Sequence, residues 1–410
     1  MVGYCCMPLP LVVLGVMIKP LSALYGWPRA STTVAILMTA TGTMLLAPVM
    51  GHVVDRIGPR RMGLVGLVLL AGSIAGIGLC GPSIWSWYLA WAIYAAVQPA
   101  AGNIVWVTGV TSRFDRDRGL ALAVMLTGGS ILYSFIPPGA VILIQNFGWR
   151  SVFFCMGAFV LLVAWPVAYR FFYGAADADR RALAERAATP PRNTAAAPHG
   201  MTLAQALRTR HFWQIATAAV IAATSVATIF VHLQPILTDA GLSPIRAASV
   251  AIVVGPAALV GRFGAGHLID RVPARFVATA ILLFPAVTFL ILLRFDGSIG
   301  QALAAAAAAG VSEGAETSLI AYLASRYFGS RSFGLVYGLL LGAFSMGYGI
   351  APVVAGRVFD VTGSYGAIFA PLAIAAVAGS ALMATLGRPP RFGPRLEGAP
   401  AASLVTRAAT

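Results

Sequence analysis

Charge is what this chain has least of. Only 10% of its 410 residues are Asp, Glu, Lys or Arg, against about 25% in a typical soluble domain. A soluble chain of this length needs far more charge to cover its surface. With 59% apolar residues and a mean hydropathy of +0.84, the composition excludes a soluble enzyme, a disordered scaffold and a nucleic-acid-binding protein. Metal and thiol chemistry are thin as well. Five histidines, His52, His199, His211, His232 and His267, are scattered, with no HExxH and no Cys/His cluster, so neither a metal nor another cofactor is expected. The four cysteines, Cys5, Cys6, Cys80 and Cys155, sit in apolar runs without CxxC spacing. Adjacent Cys5 and Cys6 point to different helix faces and make poor disulfide partners, so all four read as small packing residues. No GxxxxGK[ST] loop is present, so work at the expense of ATP is not expected. Lysine is nearly missing: Lys19 stands alone beside 27 arginines. Arginine and alanine in such excess point to a GC-rich genome and a bacterial inner membrane.

What the chain has is length in apolar runs. A helix needs about 20 apolar residues to cross a bilayer, and twelve such runs follow one another: 2–22, 30–53, 62–80, 84–111, 118–143, 151–172, 211–235, 245–269, 275–294, 299–325, 332–356 and 365–387. A polar stretch, 173–210, separates the sixth from the seventh. Its charges and its Thr189-Pro190-Pro191 run suit a mobile linker, with one short surface helix expected near 202–209. The expected organisation is a six-helix half over 1–172, a cytoplasmic linker over 173–210, a second half over 211–388 and a tail over 389–410. The first run starts at Met1 without a charged lead, which reads as a truncated or misassigned start rather than a signal peptide. With both termini placed in the cytoplasm, 21 of the 28 basic residues fall in loops or tails on that side and six on the other. Only Arg262 is left inside a span. That asymmetry sets the orientation and accounts for most of the net charge of +15, leaving no case for a nucleic-acid partner. Trp27, Trp85, Trp87 and Trp149 fall near the outer boundary, as an aromatic belt would.

The two halves repeat each other. At a shift of 215 residues, Gly51-His52-Val53-Val54-Asp55-Arg56 meets Gly266-His267-Leu268-Ile269-Asp270-Arg271, Arg60 meets Arg275 and Pro20 meets Pro235. At 213, Ser112-Arg113-Phe114 meets Ser325-Arg326-Tyr327. Matching loops on one side mean halves of the same orientation.

The loop after the second run reads Gly51-x-x-x-Asp55-Arg56-x-Gly58-x-Arg60-Arg61. It resembles the signature loop of the major facilitator superfamily, and the resemblance extends over about 1–388. The stretches 15–21, 26–30, 322–329 and 359–365, the last reading Phe359-Asp360-Val361-Thr362-Gly363-Ser364-Tyr365, are similar to the monocarboxylate and oxalate:formate branch. The resemblance implies an all-α membrane protein of twelve helices in two pseudo-symmetric halves around a central cavity. It implies no enzyme, but a secondary transporter working by alternating access, with a small organic anion and protons as partners, in the bilayer and as a monomer. It also implies that Gly51, Asp55, Arg56, Gly58, Arg60 and Arg61, with Asp270 and Arg271 in the second copy, latch the cytoplasmic side. The plainer alternative is that these charges only fix topology.

An ionisable group inside a span costs about 2.5–3.5 kcal/mol and needs a reason. Arg262 lies eight residues before Asp270, about 12 Å inside the helix end. Ala258 and Gly266, one turn away, leave room beside a guanidinium that can grip a carboxylate with two hydrogen bonds. The monocarboxylate branch is similar in having a substrate-binding arginine in its eighth helix. The alternative is an arginine bonded to a helix carbonyl or to Glu313 or Glu316. Glu313 and Glu316, three apart on one helix face, are candidates for carrying a proton or for a structural role, and His232 is a third candidate. Asn103, Tyr133, Tyr337 and Tyr348 are polar groups able to line a cavity. Two departures narrow the reading. Ala258 stands where animal monocarboxylate carriers have an aspartate, and the eleventh run lacks the lysine of the oxalate:formate exchanger. A single buried cation favours a monoanion. Lys19 is expected to snorkel at the outer end. The rival function is a major facilitator exporter of drugs or other metabolites.

Overall fold

The computed structural model describes residues 2–111, 118–172 and 200–390, all of it helix and short connections. Twelve long helical segments follow in order. We label them α1 (Val2–Cys6, continued by Leu9–Tyr25), α2 (Arg29–Ile57), α3 (Pro59–Ile77), α4 (Ile84–Val97, continued to Thr111), α5 (Arg118–Phe147) and α6 (Trp149–Phe159, continued to Phe171). The second set is α7 (Arg210–Asp239), α8 (Pro244–Ser249, continued to Ile269), α9 (Ala274–Leu293), α10 (Ile299–Phe328), α11 (Phe333–Thr362) and α12 (Gly366–Ala384). Ten of the twelve are long and apolar enough to cross a membrane by themselves. The other two are α4, broken by a tight turn at Gln98–Ala101 where Pro99 withholds a donor, and α10, whose run of small alanines also carries Glu313 and Glu316.

Local chemistry sets several of these ends. Gly58 alone joins α2 to α3 at φ 90° and ψ 150°, a region open to glycine. Pro59 then starts α3 with its φ already helical. The expected linker helix is a single turn, Leu203–Leu207, closed by a capping box in which the Gln205 N–H donates to the Thr202 hydroxyl and the Thr202 N–H to Gln205 Oε1. Just before it, the Met201 N–H donates to the Phe328 carbonyl at 2.9 Å, tying this strip to the end of α10. Residues 173–199 of the linker, Ser112 to Asp117 and the tail from 391 lie outside the described residues.

The apolar core falls into several clusters, one of which joins Val16 and Val141 to Ala248. Another draws on Cys6 through Ala168, with Val231 from the second half among its buried members and Tyr348 packed against it. Three more lie between Ala206 and Leu386. Large apolar side chains such as Leu79, Phe135, Leu162 and Ile374 face outward, as they do when lipid rather than water surrounds a bundle. The aromatic belt is a correction. Trp27, Trp87 and Trp149 are buried, packed tilted and edge to face in one aromatic cluster with Tyr25 and Phe153, and of these four tryptophans Trp85 alone is exposed. The indole of Trp27 satisfies its N–H on the Pro82 carbonyl at 2.9 Å, so packing holds these rings inside the first half.

Candidate functional site: a central cavity closed at one end

A cavity of about 300 Å³ lies between the halves, at the small end of the ~300–1,000 Å³ usual for ligand sites. Its walls come from α1, α2, α4 and α5 and from their repeats α7, α8, α10 and α11; α3, α6, α9 and α12 contribute nothing. Arg262, Glu313 and Glu316 all face it. Their meeting is set by small residues. A Cβ on Gly314 would collide with the Ala258 carbonyl, and one on Gly310 would lie 2.7 Å from the Val254 carbonyl, so α10 and α8 touch backbone to backbone. The guanidinium therefore lies beside Gly314, its Nε 3.4 Å from that carbonyl. Gly314→Val is expected to lower the melting midpoint in detergent by an amount consistent with about 1–3 kcal/mol of overpacking. An unchanged midpoint would refute the close contact.

Arg262 Nη1 is buried without a hydrogen-bond partner, and neither glutamate reaches it as an ion pair. A buried unsatisfied cation is costly, and a ligand carboxylate would answer it. Glu316 is 5% exposed and accepts the Ser312 hydroxyl at 2.7 Å. Tyr133 of α5 and Tyr348 of α11 line the cavity from the two halves. Sequence reasoning missed other lining groups: Tyr4, Thr39, Ser130 and the Thr43 hydroxyl, which donates to Gln98 Oε1 at 2.9 Å. The signal available was Gln98 itself, a lone amide in an apolar run.

One end of the cavity is shut by contacts between the halves. The Asp239 carboxylate at the end of α7 meets the guanidinium of Arg29 twice, at 2.6 and 3.2 Å, and the Lys19 ammonium at 2.8 Å. These are both of the ion pairs formed between described side chains, and the Lys19 side chain stays 41% exposed. Asp360 of α11 caps the first turn of α2, accepting the backbone N–H of Arg29 at 2.9 Å and of Ala30 at 3.0 Å. Arg29 also lies 3.4 Å over the Phe359 ring and donates to the Tyr365 hydroxyl at 3.0 Å. Burial pushes that hydroxyl above its ordinary range, so it keeps its proton. His232 is fully buried behind it. Its Nε2 lies 2.8 Å from the Pro352 carbonyl, which can only accept. Its Nδ1 lies 2.9 Å from Tyr365 Oη.

The other end is apart. Gly342, Gly349 and Gly356 recur every seven residues on α11 and so lie on nearly one face. A Cβ at Gly356 would meet Ala30 N at 2.6 Å, and one at Gly349 would meet the Ala40 side chain at 3.0 Å; at Gly342 nothing lies within 4 Å. Helices α2 and α11 therefore touch near Arg29 and diverge toward Arg56.

The sequence-selected residues are distributed accordingly. Arg262, Tyr133, Tyr348, Glu313 and Glu316 come together around the cavity. Asn103 and Tyr337 do not line it: Asn103 is exposed where α4 resumes after its break, and Tyr337 stacks on Phe333 at 5.5 Å. His232 belongs to the closed end. At the open end Gly51 has no neighbour close enough to meet a Cβ. Arg60 donates to the Tyr169 carbonyl at 2.8 Å, Arg56, Arg61, Asp270 and Arg271 are exposed, and the Asp55 side chain lies outside the described atoms.

A helical bundle in repeated halves around such a cavity is the architecture of membrane carriers. The chain belongs to the Major Facilitator Superfamily, whose profile matches residues 1–300 and, in a second match, 261–409. It is a multi-pass membrane transporter, not an enzyme. A chloramphenicol resistance protein of Streptomyces lividans is 27% identical over 289 residues, 67% of this chain and 70% of that one. Monocarboxylate transporter 12 of Homo sapiens is 23% identical over 358 residues, 80% of this chain and 67% of that one. Among solved structures, the bacterial homologue of the human lysosomal transporter Spinster, inward-facing and unoccupied, superposes with a TM-score of 0.65 at 17% identity, over 94% of this chain and 91% of that one.

Proposed function

We propose that this protein carries a small organic carboxylate across the bacterial inner membrane by alternating access, coupled to protons. The observation that carries the reading is the buried, unpartnered Nη1 of Arg262 facing a cavity shared by both halves. The relatives named monocarboxylate transporter favour the same substrate class. The halves 1–172 and 211–388 rock about this cavity, joined by the linker 173–210, with the tail 389–410 and both termini in the cytoplasm, as the basic loops imply. In that orientation the Asp239 end faces outward, and the arrangement is the inward-open one. The loop Gly51–Arg61, with Asp270 and Arg271, latches the opposite end when the carrier turns outward. Glu316 and Glu313 carry the proton. His232, with both ring nitrogens engaged and no cavity exposure, supports the outer gate.

Uptake by purified protein in liposomes tests the proton step. An inward proton gradient is expected to drive labelled pyruvate, lactate or acetate inward, and Glu316→Gln to leave uptake indifferent to the gradient. Uptake in the variant that still follows the gradient would take the proton away from Glu316. A second reading, export of drugs or other metabolites, is favoured by the similarity to the chloramphenicol resistance protein. It expects lipophilic compounds rather than acids to compete for the cavity.

A further inference from the structure

A simple carboxylate does not answer the charges around the cavity. Arg262 brings one positive charge and Glu313 and Glu316, when ionised, bring two negative ones, and no two of them form an ion pair. A carboxylate on Arg262 satisfies the guanidinium and leaves both glutamates, when ionised, facing a site of low dielectric without a positive partner. Glu316 has only the Ser312 hydroxyl on Oε1; no hydrogen bond to Glu313 is present among the described residues.

The rest of the wall suits a cation. The rings of Tyr4, Tyr133, Phe344 and Tyr348 line the same space. Phe344 stacks on Tyr348 at 6.3 Å and Tyr133 tilts against Phe230 at 5.3 Å, centroid to centroid, so the two pairs are packed in place. Aromatic faces attract ammonium and quaternary ammonium groups, and more strongly when water is excluded. Anion fork, carboxylates and rings therefore share one small cavity, the guanidinium of α8 lying beside Gly314, which is on the same helix as both glutamates.

We propose that the substrate is a zwitterion: a small carboxylate that also carries an ammonium or quaternary ammonium group. Its carboxylate sits on Arg262 and its cationic end between the glutamates and the rings. This rests on the carboxylate site proposed above and narrows its substrate. The charge count agrees. A bound zwitterion leaves the site one negative charge in excess, which one proton on a glutamate neutralises; a simple monocarboxylate leaves two. Zwitterion and one proton together move one positive charge per cycle, so uptake should respond to an inside-negative membrane potential.

Binding to the purified full-length protein by titration calorimetry tests the inference with probes matched in carbon skeleton: butyrate, γ-aminobutyrate and butylamine, with acetate and glycine betaine as a second size. A zwitterion of at least one size is expected to bind about tenfold tighter or more than its carboxylate-only partner. Glu313→Gln and Glu316→Gln, each checked for folding by melting curve, should reduce the zwitterion to the level of the plain acid. Phe344→Leu, which leaves every charge in place, should weaken the zwitterion more than the acid. Plain acids that bind as tightly as both zwitterions would overturn this inference while leaving the carboxylate site standing. Butylamine binding as well as γ-aminobutyrate, with Arg262→Gln without effect, would overturn both readings. Binding by none of the probes would do the same.

Discussion

An Arg262→Gln variant is expected to lose carboxylate binding and uptake by about thirtyfold or more. Removing one side of a buried, hydrogen-bonded charge contact costs about 2–5 kcal/mol, and 1.4 kcal/mol is about tenfold in affinity. Nη1 is buried and unpartnered beside the cavity, so at that atom the variant loses only what a ligand would supply. The fold should tolerate the change, since the arginine's contact with the Gly314 carbonyl is a long one at 3.4 Å. Arg262→Lys keeps the charge but not the two-pronged geometry and should fall between. Affinity is read by titration and uptake in liposomes, with the melting midpoint as the folding control. Full activity in the glutamine variant would remove Arg262 from the site.

The second large effect is expected at the closed end. Asp239→Asn removes the ion pairs with both Lys19 and Arg29, which come from two helices of the opposite half. Arg29 is buried, but Asp239 is partly exposed, so the change is discounted from the full cost of breaking a buried pair to about 1–3 kcal/mol. That is enough to shift a two-state equilibrium severalfold toward a form open at this end. The readout is a cysteine at cavity-lining Thr39, on a background without the native cysteines, challenged with an impermeant thiol reagent from the Arg29 side. Labelling should be slow in the parent and faster in Asp239→Asn. The double exchange Arg29→Asp with Asp239→Arg should slow it again. Equal rates in all three would mean that these charges do not hold the end shut.

How far the sequence led depends on the kind of signal each group leaves. Arg262, Glu313 and Glu316 stood out because a charge in an apolar span is expensive wherever it lies, and the cavity gathers all three. Twelve runs and the repeat at Gly51 and Gly266 were equally visible, since they are patterns along the chain. The closing contacts were not. Arg29 meets Asp239 across 210 residues and Asp360 across 331, and each reads alone as an ordinary charge at a helix end. The stretch from Phe359 to Tyr365 was noticed for its similarity to a family branch, but its work against Arg29 needed the fold. Tyr4 and Gln98 went unnoticed because uncharged polar groups in apolar runs carry little cost signal. The tryptophans misled for a related reason: sequence gives their depth, while the face they turn inward is set by packing.

One cavity serving both sides of the membrane is the central proposal, and counterflow tests it most directly. Liposomes containing the protein are loaded with unlabelled substrate, diluted, and given a trace of the labelled form, with no gradient of protons or potential. Alternating access through the Arg262 cavity predicts a transient accumulation of label above equilibrium, absent in Arg262→Gln. Label that only equilibrates, or that accumulates equally in the variant, would contradict it.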